Sequence, residues 1–165
     1  MSGNCRILSV VAPLLGLVLA FCAGAGANAV TPSPVSFSGA TTPTAGERAI
    51  VRAMNVVRAR NGAPPLQVGR KLTRAARSHS ADMARRGYFD HGAFVQRLRR
   101  FGVRAPYIGE NLASGTEPLT AAAIVQMWLT SPPHRDILLD RGFRMIGVGV
   151  AGSSRKLITA DFAGP

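Results

Sequence analysis

Acids are scarce in this chain: eight Asp and Glu stand against twenty Lys and Arg over 165 residues, a formal net charge of +12. That imbalance points to anionic partners, whether cell-wall polymers, acidic phospholipids or nucleic acid. A solvated basic surface without a partner is the plain alternative. Nearly all the cations are Arg, which suits multidentate contact with phosphate or carboxylate. Nucleic acid is the weakest candidate, because neither a zinc-finger spacing nor an RNA-binding aromatic signature is present. Cysteine is scarcer still. The two present, Cys5 and Cys22, both lie in the first 29 residues, so the rest of the chain can form no disulfide. An exported domain without disulfides relies on its core. H-E-x-x-H, C-x-x-C, G-x-S-x-G and a phosphate loop are all missing, which removes the most specific catalytic signatures.

What is present begins with a leader. Arg6 is followed by an apolar run from Ile7 to about Ala23, then by small residues ending in Ala27-Asn28-Ala29. A charged start, an apolar middle and an A-x-A end predict a secretory signal peptide over 1–29, cleaved after Ala29. An uncleaved membrane anchor is one alternative. A lipoprotein is another, since Leu19-Ala20-Phe21-Cys22 loosely resembles a lipobox apart from the bulky Phe21. Removing the leader takes away Arg6 alone, leaving nineteen cations against the same eight acids, a net of +11. Residues 30–43, rich in Pro, Ser and Thr without period, predict a flexible linker. Residues 44–165 suffice for one domain.

Thr44-Ala45-Gly46-Glu47 matches a capping box ahead of Ile50, Met54 and Val57, and Asn61-Gly62 followed by Pro64 ends that helix. A second helix is predicted over Arg70 to Arg86. Its apolar face carries Leu72, Ala75, Ala76, His79 and Met83, while Arg70, Arg74, Arg77 and Arg85 fall largely on the other. A short helix over Ala93 to Arg100 groups Phe94, Leu98 and Phe101. A fourth spans Glu117 to Thr130, with Pro118 in its first turn and Ile124, Met127 and Trp128 inward. Strands are predicted over Phe143 to Ala151 and Lys156 to Phe162 around a Gly152-Ser153-Ser154 turn, and a third near Tyr107 to Leu112. The expectation is an α+β domain with helices packed on a small antiparallel sheet.

Glu110 is the unusual acid. It sits in Gly109-Glu110-Asn111-Leu112-Ala113, with Tyr107 and Ile108 just before it, and a carboxylate in apolar company requires a partner. Of the three histidines, His79 reads as a satisfied core residue with Asp82 and Ser80 as local partners. His91 follows Tyr88-Phe89-Asp90 in a loop beyond a helix stop, where function tends to reside. His134 follows Ser131-Pro132-Pro133, whose prolines fix the backbone ahead of it. Two imidazoles and one carboxylate could hold a divalent cation or run acid–base chemistry.

The runs RSHSADMARRGYFDH, GENLASG, MWLTSPPHRDILLD and IGVGVA resemble, in order, the bacterial branch of the CAP superfamily of cysteine-rich secretory proteins, antigen-five allergens and pathogenesis-related proteins. The resemblance spans about Glu47 to Phe162. It implies an α-β-α sandwich with a central cavity whose tetrad is two histidines and two acids. By motif these fall on His91, Glu110 and His134. The fourth fails, because Trp128-Leu129-Thr130-Ser131 puts Ser131 where relatives carry an acid. That loss weakens any zinc or calcium site built on His91, His134 and Glu110, unless Asp136 or Asp90 compensates. The resemblance implies that Glu110 is held by His91 and His134, with Asn111 anchoring the adjoining backbone.

Three functions follow. One is a non-enzymatic binding domain at the cell envelope that presents a cavity lined by His91, Glu110, Asn111 and His134 to a lipid or cell-wall ligand and requires no cofactor. A second is an extracytoplasmic hydrolase, with Ser131, His134 and Glu110 as nucleophile, base and orienter. No oxyanion-hole signature surrounds Ser131, and Ser131-Pro132 also reads as a helix stop. The third is a basic tether to anionic polymer or lipid, the Arg face of the second helix making the contact.

Overall fold

Thr44 starts the first helix, α1 (Ala45–Arg60), by a reciprocal cap: its hydroxyl accepts from the Glu47 amide at 3.2 Å, and the Glu47 carboxylate accepts from the Thr44 amide at 2.7 Å. This satisfies two of the donors a helix start leaves orphaned. The computed structural model describes residues 42–165, so the signal peptide predicted over 1–29 and the predicted linker before Thr42 lie outside the described residues. After α1 come β1 (Gln67–Val68), α2 (Arg70–Arg86), α3 (Phe94–Arg100), β2 (Tyr107–Thr116), α4 (Ala121–Thr130), α5 (Pro132–Leu139), β3 (Met145–Ala151) and β4 (Arg155–Gly164). No helix among the described residues is long and apolar enough to cross a membrane.

The strand order is β1-β3-β4-β2, which leaves β2 at an edge. The sheet is mixed rather than purely antiparallel, because β1 pairs in parallel with Met145 and Ile146 of β3. Two residues are too few for any period to announce a strand.

Strand alternation divides the polar from the apolar residues. On β3, a Cβ added to Gly147 or Gly149 would lie 2.1 Å and 2.3 Å from backbone atoms of α2. The α2 backbone therefore rests directly on this face, and only glycine permits the approach. Asp161 and Thr159 of β4 lie opposite those glycines, and Glu110 and Leu112 of β2 lie opposite Asp161 and Thr159. Directly paired residues share a face, so all four look toward the α2 side. The other face carries Ile146, Val148, Ile158, Ala160 and Phe162, packed with α1, α4 and α5 into the main core. The result is an α-β-α sandwich.

Two helices differ from expectation. α4 starts at Ala121, not near Glu117, because the Thr120 hydroxyl accepts from the Ala123 amide at 3.1 Å and sets the cap there. Its inward stripe is Ile124, Val125 and Trp128, while Met127 is 40% exposed. At about 100° per residue, Met127 falls outside the arc those three define. The segment after Ser131 is no loop. Pro132 and Pro133 occupy the first turn of α5, where a missing N–H costs nothing.

Candidate functional site

Glu110 and Asp161 are register partners on the α2-facing side, and both side chains are almost fully buried. Two carboxyls sharing a hydrogen bond in an apolar setting cannot both ionise cheaply. Burial pushes Glu110 up to about 7, against the pull of Arg97. Burial, then the Glu110 charge, drives Asp161 well above the usual carboxylate range. Burial thus favours the neutral form of both carboxyls, and Arg97 opposes it in each.

Three groups organise this pair. His91 leaves the end of α2 on a loop held by the His79 ring, whose Nε2 contacts the Asp90 carbonyl at 2.9 Å. His79 thus has a backbone partner from the loop. Asp82 is taken instead by Arg85, Arg86 and the Tyr88 hydroxyl, and Ser80 donates to the Gly149 carbonyl at 3.0 Å. His91 Nδ1 then lies 2.8 Å from Glu110 Oε1. Burial lowers the His91 pKa and favours the neutral ring; against an ionised Glu110 that ring donates from Nδ1 and keeps its lone pair on Nε2. The third group is Arg97 of α3, which forms an ion pair with Glu110 Oε2 and lies 3.5 Å from Asp161 Oδ1.

His134 is not in this network. Asn111 follows Glu110 on β2 and so faces the opposite side, where its Nδ2 donates to the His134 carbonyl at 2.9 Å. The His134 ring turns back within its own helix, its Nδ1 2.9 Å from Ser131 Oγ. Glu110 is thus shared by His91 and Arg97, not by two histidines.

Beside the network, a pocket of about 350 Å³ follows the β2 edge between α3 and α5. His91 and Glu110 form its polar wall, Phe94, Tyr107 and Phe143 its aromatic wall, and Asp136 with Asp140 its rim on the α5 side. Tyr107 and Phe143 stack at 4.6 Å, and the Tyr107 hydroxyl donates to Asp140.

The cysteine-rich secretory protein (CAP) profile matches residues 51–162. The chain belongs to this family. Within it the chain falls in the bacterial SCP-like branch. It is 34% identical to the uncharacterised protein YkwD of Bacillus subtilis over 142 residues, 83% of this chain and 52% of that relative. It is 32% identical to an extracellular Bacillus anthracis protein containing an SCP domain, with a TM-score of 0.66 over 73% of this chain and 40% of that one. A cysteine-rich secretory protein from Staphylococcus aureus shares the fold at 19% identity and a TM-score of 0.61, covering 73% of this chain and 38% of that one. The chain thus spans about half or less of the length of these relatives.

For a cysteine-rich secretory protein, the arrangement does not suit a metal. Among the described residues no group of three or more His, Cys, Asp and Glu side chains is placed to hold an ion. The His91 and His134 rings have different partners, Glu110 and Ser131, and Arg97 already pairs with Glu110. Neither Asp136 nor Asp90 closes a set. The hydrolase arrangement is half assembled, since Ser131 and His134 touch but Glu110 does not orient that imidazole.

Sequence reading missed Arg97 and Asp161. Both carried a signal: Arg97 sits on the stripe of Phe94, Leu98 and Phe101, and Asp161 interrupts an apolar strand as Glu110 does. A charge on a buried stripe needs a partner, and the two supply each other's.

The titrations oppose each other. Glu110 is raised above its unfolded value, so its contribution is full at low pH and disappears as pH rises through about 7. His79 is lowered from 6.5 to about 4, chiefly by burial, so its contribution is present above 6.5 and disappears on acidification. His91 and His134 shift in the same direction as His79. Glu110→Gln removes one of the two raised carboxyls that oppose the histidines, leaving Asp161 as the other. The variant's stability is expected to fall more steeply than wild type between pH about 7 and about 4, read as urea midpoints across that range. Parallel profiles would refute the assignment.

Proposed function

We propose that this chain is an exported, non-enzymatic binding domain of the bacterial cell envelope. Its β2-edge pocket takes a small fragment of a lipid or cell-wall polymer, and its basic face holds it to anionic surfaces. The observation that carries the reading is the pocket, with an aromatic wall facing the His91–Glu110 pair. An apolar cleft with a few convergent polar groups is the usual form of a small-ligand site. At about 350 Å³ it lies near the lower end of such sites, which suits a sugar, a peptide side chain or a headgroup rather than an acyl chain. The leader at 1–29 and the extracellular B. anthracis relative support export. The test is calorimetric titration with soluble muropeptides and short-chain phospholipids. Binding to one class that His91→Ala abolishes is expected; no binding, or binding indifferent to His91→Ala, would sink the pocket reading.

The tether needs one revision. Arg77 is not part of a free Arg face, because it pairs with buried Glu47 at 2.6 Å. Of the cations for which no carboxylate pair is seen among the described residues, six lie where α2 meets the end of α3: Arg70, Lys71, Arg74, Arg99, Arg100 and Arg104, with Arg74 over the Phe101 ring at 5.6 Å. A basic residue near an anionic membrane contributes about 1 kcal/mol, so Arg70→Gln, Arg74→Gln and Arg100→Gln together should weaken binding to phosphatidylglycerol vesicles on the order of a hundredfold at low salt. Melting temperature should not move. Equal vesicle binding by the triple variant would remove the tether.

The Ser131–His134 contact supports a hydrolase as the second reading. Turnover of peptidoglycan or ester substrates that Ser131→Ala abolishes would establish it in place of the first.

A further inference from the structure

A cation stands against the pocket's polar wall, bonded to both His91 and Glu110. Arg97 Nη2 is paired with Glu110 Oε2 and lies 3.5 Å from Asp161 Oδ1, so the guanidinium stands between the two buried carboxyls. Its Nη1 donates to the His91 carbonyl at 3.2 Å, tying down the loop whose imidazole caps the other Glu110 oxygen. The side chain is 10% exposed, and its guanidinium lies 5.6 Å from the Phe94 ring centroid. One side chain from α3 thus joins the loop, the sheet edge and the pocket wall.

We propose that Arg97 is the resident cation of this site: it occupies the place between Glu110 and Asp161 that a divalent metal would take, and so keeps the pocket metal-free. Two carboxyls and one imidazole are ligand types that would otherwise suit zinc or manganese. With a fixed positive charge among them, an entering dication meets repulsion at contact distance in a site that water screens poorly. Nor can the guanidinium leave cheaply. Displacing it would strand Glu110 and remove the donor to the His91 carbonyl. The site resembles a metal centre in its ligands and an ion pair in its chemistry.

The inference predicts a gain of function. Arg97→Ala empties a guanidinium-sized space beside the Glu110 and Asp161 carboxyls and the His91 carbonyl; the two carboxyls and the His91 imidazole, not placed to hold an ion while Arg97 is present, are then free to close on a metal. Zinc is titrated calorimetrically into the full chain with Cys5 and Cys22 alkylated, so that thiols do not compete. Wild type should show no saturable binding at the pocket. Arg97→Ala should bind one zinc at least on the order of a hundredfold more tightly, and Glu110→Gln in the Arg97→Ala background should abolish the gain. Saturable binding by wild type that His91→Ala removes would overturn the proposal. So would an Arg97→Ala protein that is folded by circular dichroism yet takes up no zinc. Should Arg97→Ala not fold, Arg97→Lys decides: it preserves the charge and must remain zinc-free, and zinc uptake by it would refute the role given to that charge.

Discussion

Trp128→Ala is expected to destabilise the domain by roughly 3–5 kcal/mol. The indole is 1% exposed at the centre of the main core, between Ile124 and Val125 of its own helix and the apolar face of the sheet. Removing it opens a cavity that neighbours on a rigid sheet can only partly refill. It also removes a donor, because Trp128 Nε1 bonds the Leu112 carbonyl on β2 at 2.9 Å. A buried carbonyl left unpaired adds further cost. Domains of this size are stable by about 5–15 kcal/mol, so the variant should be close to unfolding at room temperature. Urea unfolding followed by circular dichroism measures the loss. A change near zero would show that α4 does not pack as described.

Arg58→Met should be comparably damaging, although no carboxylate is involved. Arg58 is completely buried on α1 and spends its guanidinium on four carbonyls: Pro64 at 2.8 Å, Leu138 at 2.7 Å, Asp140 at 3.0 Å and Phe143 at 3.1 Å. Leu138 lies in the last turn of α5, where carbonyls have no partner within the helix and a cation is favoured. The residue therefore fixes the end of α5, and with it the Asp136, Asp140 and Phe143 wall of the pocket. Methionine fills the volume but donates nothing, leaving several acceptors unpaired at about 1 kcal/mol or more each. A loss on the order of 3–5 kcal/mol is expected by urea titration, with Arg58→Lys recovering part of it through its three donors. A full-strength Arg58→Met domain would mean that water replaces the guanidinium without cost.

Much of this architecture was legible. The capping box at Thr44, the span of the second helix over Arg70 to Arg86 and the β3–β4 turn each rest on local chemistry that needs no distant partner. The apolar stripes of α1, α2 and α3 follow from helical period alone. α5 was hidden because it is eight residues long, and its two prolines signal a helix start as readily as a break. β1 was hidden because it is two residues long.

The sequence by itself determined that Glu110 must be partnered, since a lone acid among apolar neighbours in a chain so rich in cations has no other stable arrangement. It also determined that His91 and His134 lie beyond helix stops. It could not say which cation reaches Glu110. That choice depends on strand register and on the side of the sheet each element covers. Alternation along β2 sends Glu110 toward α2 and α3, and Asn111 toward α5. His134 is thereby held through its backbone on one face, while Arg97 meets the carboxylate on the other. Asp161 joins only because β4 pairs with β2 in the register that sets it opposite Glu110. Residues 51 positions apart become neighbours through that pairing, and no local pattern records it.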